Sequence, residues 1–175
     1  MSLVINCLSG PSAGKSTMAG GMFNRLKTAG YNVEYVQEFA KTLTWEKNWI
    51  ALSNQFYVSG VQKYTQDMLL GQVDAIITDS PIIIGLMYYK EKNKKIKRAF
   101  EKFIIESFKA QNNINFFLNR TKKYNPSGRT QTLEESIEID NRIKQFLTDL
   151  DIPFTIVDGN NKGLKQAYKE VIKCI

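Results

Sequence analysis

Histidine does not occur anywhere in this chain, and with it go the usual neutral-pH acid–base group and the commonest metal ligand. A general base, if the chemistry uses one, then falls to a carboxylate. Cysteine is nearly as scarce. Cys7 and Cys174 are the only two, too few and too badly placed for a disulfide framework, and a reduced cytoplasmic setting fits that usage. Long apolar runs are also missing. The longest stretches are strand-sized and interrupted, and no charged segment precedes a signal-type core, so neither secretion nor a membrane span is expected. Acids are outnumbered 17 to 24 by lysine and arginine. What remains is a chain of 175 residues with 43% hydrophobic content, enough for one sizeable core and short for two, so a single domain over 1–175 is expected.

The most informative segment present is Gly10-Pro11-Ser12-Ala13-Gly14-Lys15-Ser16-Thr17. It follows an apolar strand-like run, Leu3 to Leu8, and opens a helix-like one. Small residues let successive backbone N–H groups converge on an anion, and the helix that follows adds its positive end. Lys15 can reach the β- and γ-phosphates of a nucleoside triphosphate, and Ser16 can ligate Mg²⁺. The usual spacing, G-x-x-x-x-G-K-[ST], puts a glycine where this chain has Ser9. Gly10 follows at once, and the strand-loop-helix context is intact.

Apolar runs of strand length alternate with longer segments of helical period. Strands are expected at Leu3 to Leu8, Asn32 to Val36, Ala75 to Thr78, Asn115 to Leu118 and Phe154 to Val157. Helices are expected over Lys15 to Ala29, Trp45 to Trp49, Ser53 to Leu70, Ile82 to Lys92, Ile96 to Ala110, Leu133 to Leu150 and Gly163 to Lys173. Alternation of this kind makes an α/β protein, a mostly parallel sheet covered by helices on both faces, with ligands at the carboxyl ends of the strands.

Two acids stand at such strand ends. Asp79 closes Ala75-Ile76-Ile77-Thr78, the pattern of an acid that holds Mg²⁺ opposite the serine of the phosphate loop; the other reading is a cap for a helix starting at Pro81. Glu38 is one strand over, where an acceptor hydroxyl could lie beside the γ-phosphate. Its candidate role is general base or acceptor orienter, and the alternative is an ion-pair partner for Lys41 or Arg25. Past the fourth strand the chain turns basic, from Arg120 to Gln131, around the turn Asn125-Pro126-Ser127-Gly128. This segment reads as a basic lid over about 120–131 that delivers Arg129 and Arg120 to the transferring phosphoryl group; a solvated loop is the other reading.

The order of these motifs resembles the nucleoside and nucleotide kinase branch of P-loop proteins. More closely, Gly14-Lys15-Ser16-Thr17, Val36-Gln37-Glu38-Phe39-Ala40-Lys41, Thr78-Asp79-Ser80-Pro81 and Tyr124 to Gln131 are similar to small bacteriophage P-loop kinases. That group includes kinases of 5-hydroxymethyluracil in phage DNA. The likeness runs over nearly the whole chain. It implies a three-layer P-loop NTPase fold with a five-stranded parallel sheet, ATP and Mg²⁺ as donor and cofactor, Lys15 and Ser16 on phosphates and metal, Asp79 near the metal, and an arginine lid. It further implies a setting in the cytoplasm of a phage-infected bacterium, while oligomeric state stays open. The acceptor implied is a nucleoside, a nucleotide or a base in DNA, and a P-loop ATPase or nucleotide switch is the competing class.

Acceptor recognition falls on two segments. Gln55 and Gln62 are seven apart, near one helical face, with Phe56 and Tyr57 beside them; a paired amide over an aromatic floor can read a base edge, although aromatics at that spacing also build cores. Trp45 and Trp49 carry the same ambiguity. Between Lys90 and Lys102 seven lysines or arginines face two glutamates, which suits a nucleic-acid backbone and equally suits a solvated helix.

Overall fold

The computed structural model describes residues 1–121, 123–124 and 132–175. Its elements are β1 (Leu3–Leu8), α1 (Lys15–Thr28), β2 (Val33–Val36), α2 (Phe39–Trp45), α3 (Trp49–Ser53), α4 (Gln55–Asp67), β3 (Ala75–Thr78), a 3₁₀ helix (Ile82–Met87), α5 (Lys94–Lys109), β4 (Asn112–Asn119), α6 (Leu133–Asp149), β5 (Thr155–Asp158) and α7 (Asn161–Val171). The five strands form one sheet in the order β2-β3-β1-β4-β5, every neighbouring pair parallel. β1 is central and buried along its whole length, as a strand covered on both faces must be.

The two faces carry separate cores. On one, Ile5, Cys7 and Phe116 pack under Met18, Met22 and Leu26 of α1 and Leu164 and Val171 of α7. On the other, Leu8 and Phe117 pack under Phe100, Ile104 and Phe108 of α5 and Ile139, Ile143 and Leu147 of α6. Truncating a fully buried ring such as Phe108 to alanine costs about 3–5 kcal/mol, a large part of a domain's stability.

Helix α2 over Phe39–Trp45 was not expected at all, and three further elements depart from expectation, each for a local reason. The helix expected over Trp45 to Trp49 is instead the break between α2 and α3. Lys47 takes φ 56, and the Asn48 side chain accepts from Ala51 N at 3.2 Å to start a new helix. The helix expected from Ile82 to Lys92 is a 3₁₀ helix that stops at Met87, since a run of β-branched isoleucines after Pro81 crowds a regular α-helix. Strand β4 begins three residues before the expected Asn115, because its asparagines pair inside the sheet. Asn6 Nδ2 donates to Asn113 Oδ1 at 2.7 Å and to Asn115 Oδ1 at 2.9 Å, so polar residues extend a strand that apolar patterning alone would cut short.

Candidate active site

The carboxyl ends of β1 and β3 bring the phosphate loop and Asp79 together. Parallel register sets Asn6 beside Thr78, so the loop that leaves β1 and the acid that follows β3 emerge side by side. Ser12 has φ 66 and Gly14 φ 102, the left-handed turns that fold successive amides into an anion-holding hollow. A side chain at Gly14 would meet the Gly159 carbonyl at 3.3 Å. The Lys15 ammonium arches back over the loop and donates to the carbonyl oxygens of Ser9 at 2.9 Å and Gly10 at 3.0 Å.

Ser16 Oγ donates to Asp79 Oδ2 at 2.5 Å. Asp79 is buried, and its Oδ1 has no hydrogen-bond partner among the described residues. A buried carboxylate oxygen without a donor is costly, and a hydroxyl beside a carboxylate is the sparse oxygen set that Mg²⁺ uses while keeping its waters. The pair therefore fits the ion that the fold implies. Asp79 does not cap the following helix: Pro81 holds that position without a side-chain bond. Two neighbours register the same carboxylate. Burial first, then Asp79, push the Cys7 thiol up to about 12, with Lys15 pulling the other way. Burial and then Asp79 likewise raise the Tyr35 hydroxyl.

From the loop a cleft of about 510 Å³ runs past Glu38 to a wall made by Gln55, Val58, Ser59, Gly85 and Tyr88. Glu38 stands at the N-cap of α2, and among the described residues no ion pair ties it to Lys41 or Arg25. Gln62 makes bonds that the sequence expectation did not include. It lines the cleft, and its Oε1 accepts from Phe39 N at 3.0 Å while its Nε2 donates to Gln37 O at 3.2 Å, so this buried amide also grips the main chain on both sides of Glu38. Gln55, half-buried at the start of α4, faces the cleft too. The α2–α4 wall owes its shape to Gly85, where a Cβ would come within 3.0 Å of Ser59 Oγ and 3.2 Å of Gln55 Nε2. Tyr88 closes the far side, its hydroxyl pushed up to about 12 by burial first and then by Glu38 and Asp140, against the pull of Arg142 and Arg120.

Arg120 likewise has partners that the sequence did not suggest. In this structure it is hydrogen-bonded to the outer side of the phosphate loop. Its Nε donates to Asp140 Oδ2 at 2.6 Å, Nη1 to Pro11 O at 2.6 Å and Nη2 to Ser136 O at 3.1 Å. Asp140 Oδ1 in turn accepts from Gly10 N at 2.5 Å. This largely buried pair braces Gly10 and Pro11, the two residues that follow the departure at Ser9. Arg129, and with it most of the segment read as a lid, lies outside the described residues. Asp140, Tyr35 and Tyr88 were not picked out from sequence. Asp140 left a signal all the same: it falls on the buried stripe Ser136, Ile139, Asp140, Ile143, Leu147 of α6, and an acid in an apolar stripe demands a partner.

Sheet order, phosphate loop and strand-end acid together define a nucleotide-binding domain with the P-loop NTPase fold. A family model described as an AAA domain matches residues 6–162, most of the chain, and the chain belongs to that family. No curated protein matches it. Among the described residues no helix is long and apolar enough to cross a membrane.

Proposed function

We propose that this protein is an ATP-dependent phosphotransferase that moves the γ-phosphoryl group to a hydroxyl of a nucleotide-class acceptor: a free nucleoside, a nucleotide, or 5-hydroxymethyluracil in DNA. The observation that carries this reading is the cleft itself. A pure hydrolase needs room for water beside the γ-phosphate, whereas here Lys15, Ser16 and Asp79 share one cavity of about 510 Å³ with Glu38 and with the Gln55 wall, room for a second substrate.

Bound ATP·Mg²⁺ would supply the phosphoryl group and the cationic charge that shields it. The chain's own work is positioning and charge placement. Residues 10–17 cradle the phosphates, and Lys15 exchanges the Ser9 and Gly10 carbonyls for phosphate oxygens. Ser16 and Asp79 hold the metal. Glu38 takes the proton from the acceptor hydroxyl as its oxygen bonds to phosphorus and the bond to the leaving ADP oxygen breaks. Gln62 keeps Glu38 in place through the backbone, and Gln55 contacts the acceptor. Arg129 is the cation proposed to meet the developing charge.

The test is transfer of label from the γ-position of ATP into nucleosides, nucleoside monophosphates, and DNA with ordinary or hydroxymethylated bases. A labelled acceptor is the expected result. ATP consumption that proceeds at one rate with and without every acceptor would overturn the reading and leave nucleotide hydrolysis, the second reading, which the AAA-domain match favours.

A further inference from the structure

On the reverse side of the acceptor wall, α4 and α5 enclose an open hollow of about 450 Å³ whose lining is almost wholly apolar. Phe56 and Gly60 come from α4; Ile96, Phe100 and Phe103 come from α5 at the spacing of one helical face. Phe56 is 47%, Ile96 45% and Phe103 52% exposed. Gly60 adds nothing to the fold that alanine would not. It lies inside a helix, its φ is not positive, and a Cβ there would meet nothing within 4 Å. Internal packing gives no reason for the worst ordinary helix former at that position.

The rim is as unusual as the floor. Helix α5 opens with Lys94 and Lys95, followed by Lys97 and Arg98, and has no acid in its first turn. Cations at a helix N-terminus oppose the dipole; α6, by contrast, carries Glu134 and Glu135 there. Of the acids nearby, Glu91 accepts from Asn93 N at 2.7 Å and Glu101 lies 3.8 Å from Lys97, which leaves most of the cations without an acid among the described residues. Local rules broken twice on one face, without gain to the fold, mark a surface shaped by something else.

We propose that this face docks an acidic amphipathic helix of another protein, with large apolar side chains in the hollow and carboxylates against Lys95, Arg98 and Lys102. A nucleic acid fits the rim but not the floor. Apart from the buried Ser59 hydroxyl the hollow offers no side-chain hydrogen-bond group, so a base edge placed there would lose partners that a leucine or phenylalanine side chain never had. Helix-in-groove recognition needs only an apolar stripe and matched flanking charge. Because Ser59 borders both this hollow and the cleft, the docked helix would press on the back of the acceptor wall.

The experiment is selection of a displayed library of random 16-residue peptides on the intact protein. The expected winners carry Phe, Leu or Met at i, i+3 or i+4, and i+7, with Asp or Glu between them. Their binding should fall about 30-fold or more in Phe103→Ser, as for a central anchor, and several-fold in Lys95→Glu/Lys102→Glu, with salt weakening the wild-type complex. Gly60→Leu fills the hollow and improves helix propensity, so its thermal midpoint should hold or rise and its affinity for a fluorescent ATP analogue should stay unchanged while peptide binding is lost. Winners without the acidic amphipathic pattern, or winners that bind Gly60→Leu as well as wild type, overturn the proposal. So does a labelled dT20 oligonucleotide that binds this face and is lost in Phe103→Ser, or a dimer in sedimentation that Gly60→Leu abolishes.

Discussion

The two ends of the cleft are built in opposite ways. The phosphate end comes from eight consecutive residues, 10–17, completed by Asp79 and clamped from outside by Arg120 and Asp140 through short hydrogen bonds. The end proposed to take the acceptor comes from side chains on α2, α3, α4 and the 3₁₀ helix, with Gln55 half-buried; Trp45 and Trp49 are exposed and do not line it. One end is held by backbone and ion pairs. The other is held by packing among helices and by the Gln62 amide, which ties α4 to the main chain at Gln37 and Phe39. Phosphates are alike in every nucleotide and are met by main-chain amides, whereas under the proposed phosphotransfer the acceptor would be recognised by side chains of the wall.

Substitutions can break or sharpen that contrast. The largest effect is expected at the phosphate end: Lys15→Ala should lower turnover about 1,000-fold by removing a cation aimed at the transferring group, with an unchanged circular dichroism spectrum. Near-normal transfer by that variant would mean the phosphates bind elsewhere. Next, Asp140→Ala leaves the partly buried Arg120 guanidinium without its carboxylate, with only the Pro11 and Ser136 carbonyls as partners, and should cost about 2–3 kcal/mol in urea unfolding; a loss within about 0.5 kcal/mol would show that the brace is ornamental to stability. At the other end, Glu38→Gln should leave the acceptor KM near its wild-type value and reduce kcat about 100-fold, as for a general base. Equal turnover in the two proteins would make Glu38 a structural acid.

The smallest effect concerns pH. Burial raises the Cys7 thiol from 9.0 to about 12, so the folded state keeps a proton that the unfolded chain releases. That contribution is whole below pH 9 and drains away as pH climbs toward 12. Stability should therefore fall through that window, and Cys7→Ala should flatten the slope by up to about 1.4 kcal/mol per pH unit. Urea midpoints at successive pH values decide it; parallel slopes in the two proteins would assign the alkaline loss to other groups, such as Tyr35 and Tyr88.

Most strands and long helices were legible because each is dictated by its own residues. Leu3–Leu8 and Ala75–Thr78 fall where their apolar runs lie, and α6 starts at Leu133 behind the capping box of Thr132 and Glu135. The misses share a cause. Asn112 and Asn113 extend β4 ahead of the expected Asn115, and Asn113 is met there by the Asn6 amide, over a hundred positions away, which donates to it. Gln62 lines the cleft as expected, but its amide bonds to the backbone of Gln37 and Phe39 were invisible in the sequence. Arg120 was read as a lid cation, and its bond to Asp140 was invisible in the sequence. In each case a polar side chain can satisfy itself in several ways, and its neighbours in space decide which.

The order of residues alone specified the phosphate loop, the strand-end acid and the alternation that makes a parallel sheet, since an amide cradle and a buried strand are local consequences of size, polarity and period. Tertiary structure alone decided what other polar groups face: Arg120 against Asp140, and Gln62 against the main chain around Glu38. Covalent neighbours set backbone shape, whereas hydrogen-bond partners are chosen by packing across the sheet, where distance along the chain counts for nothing.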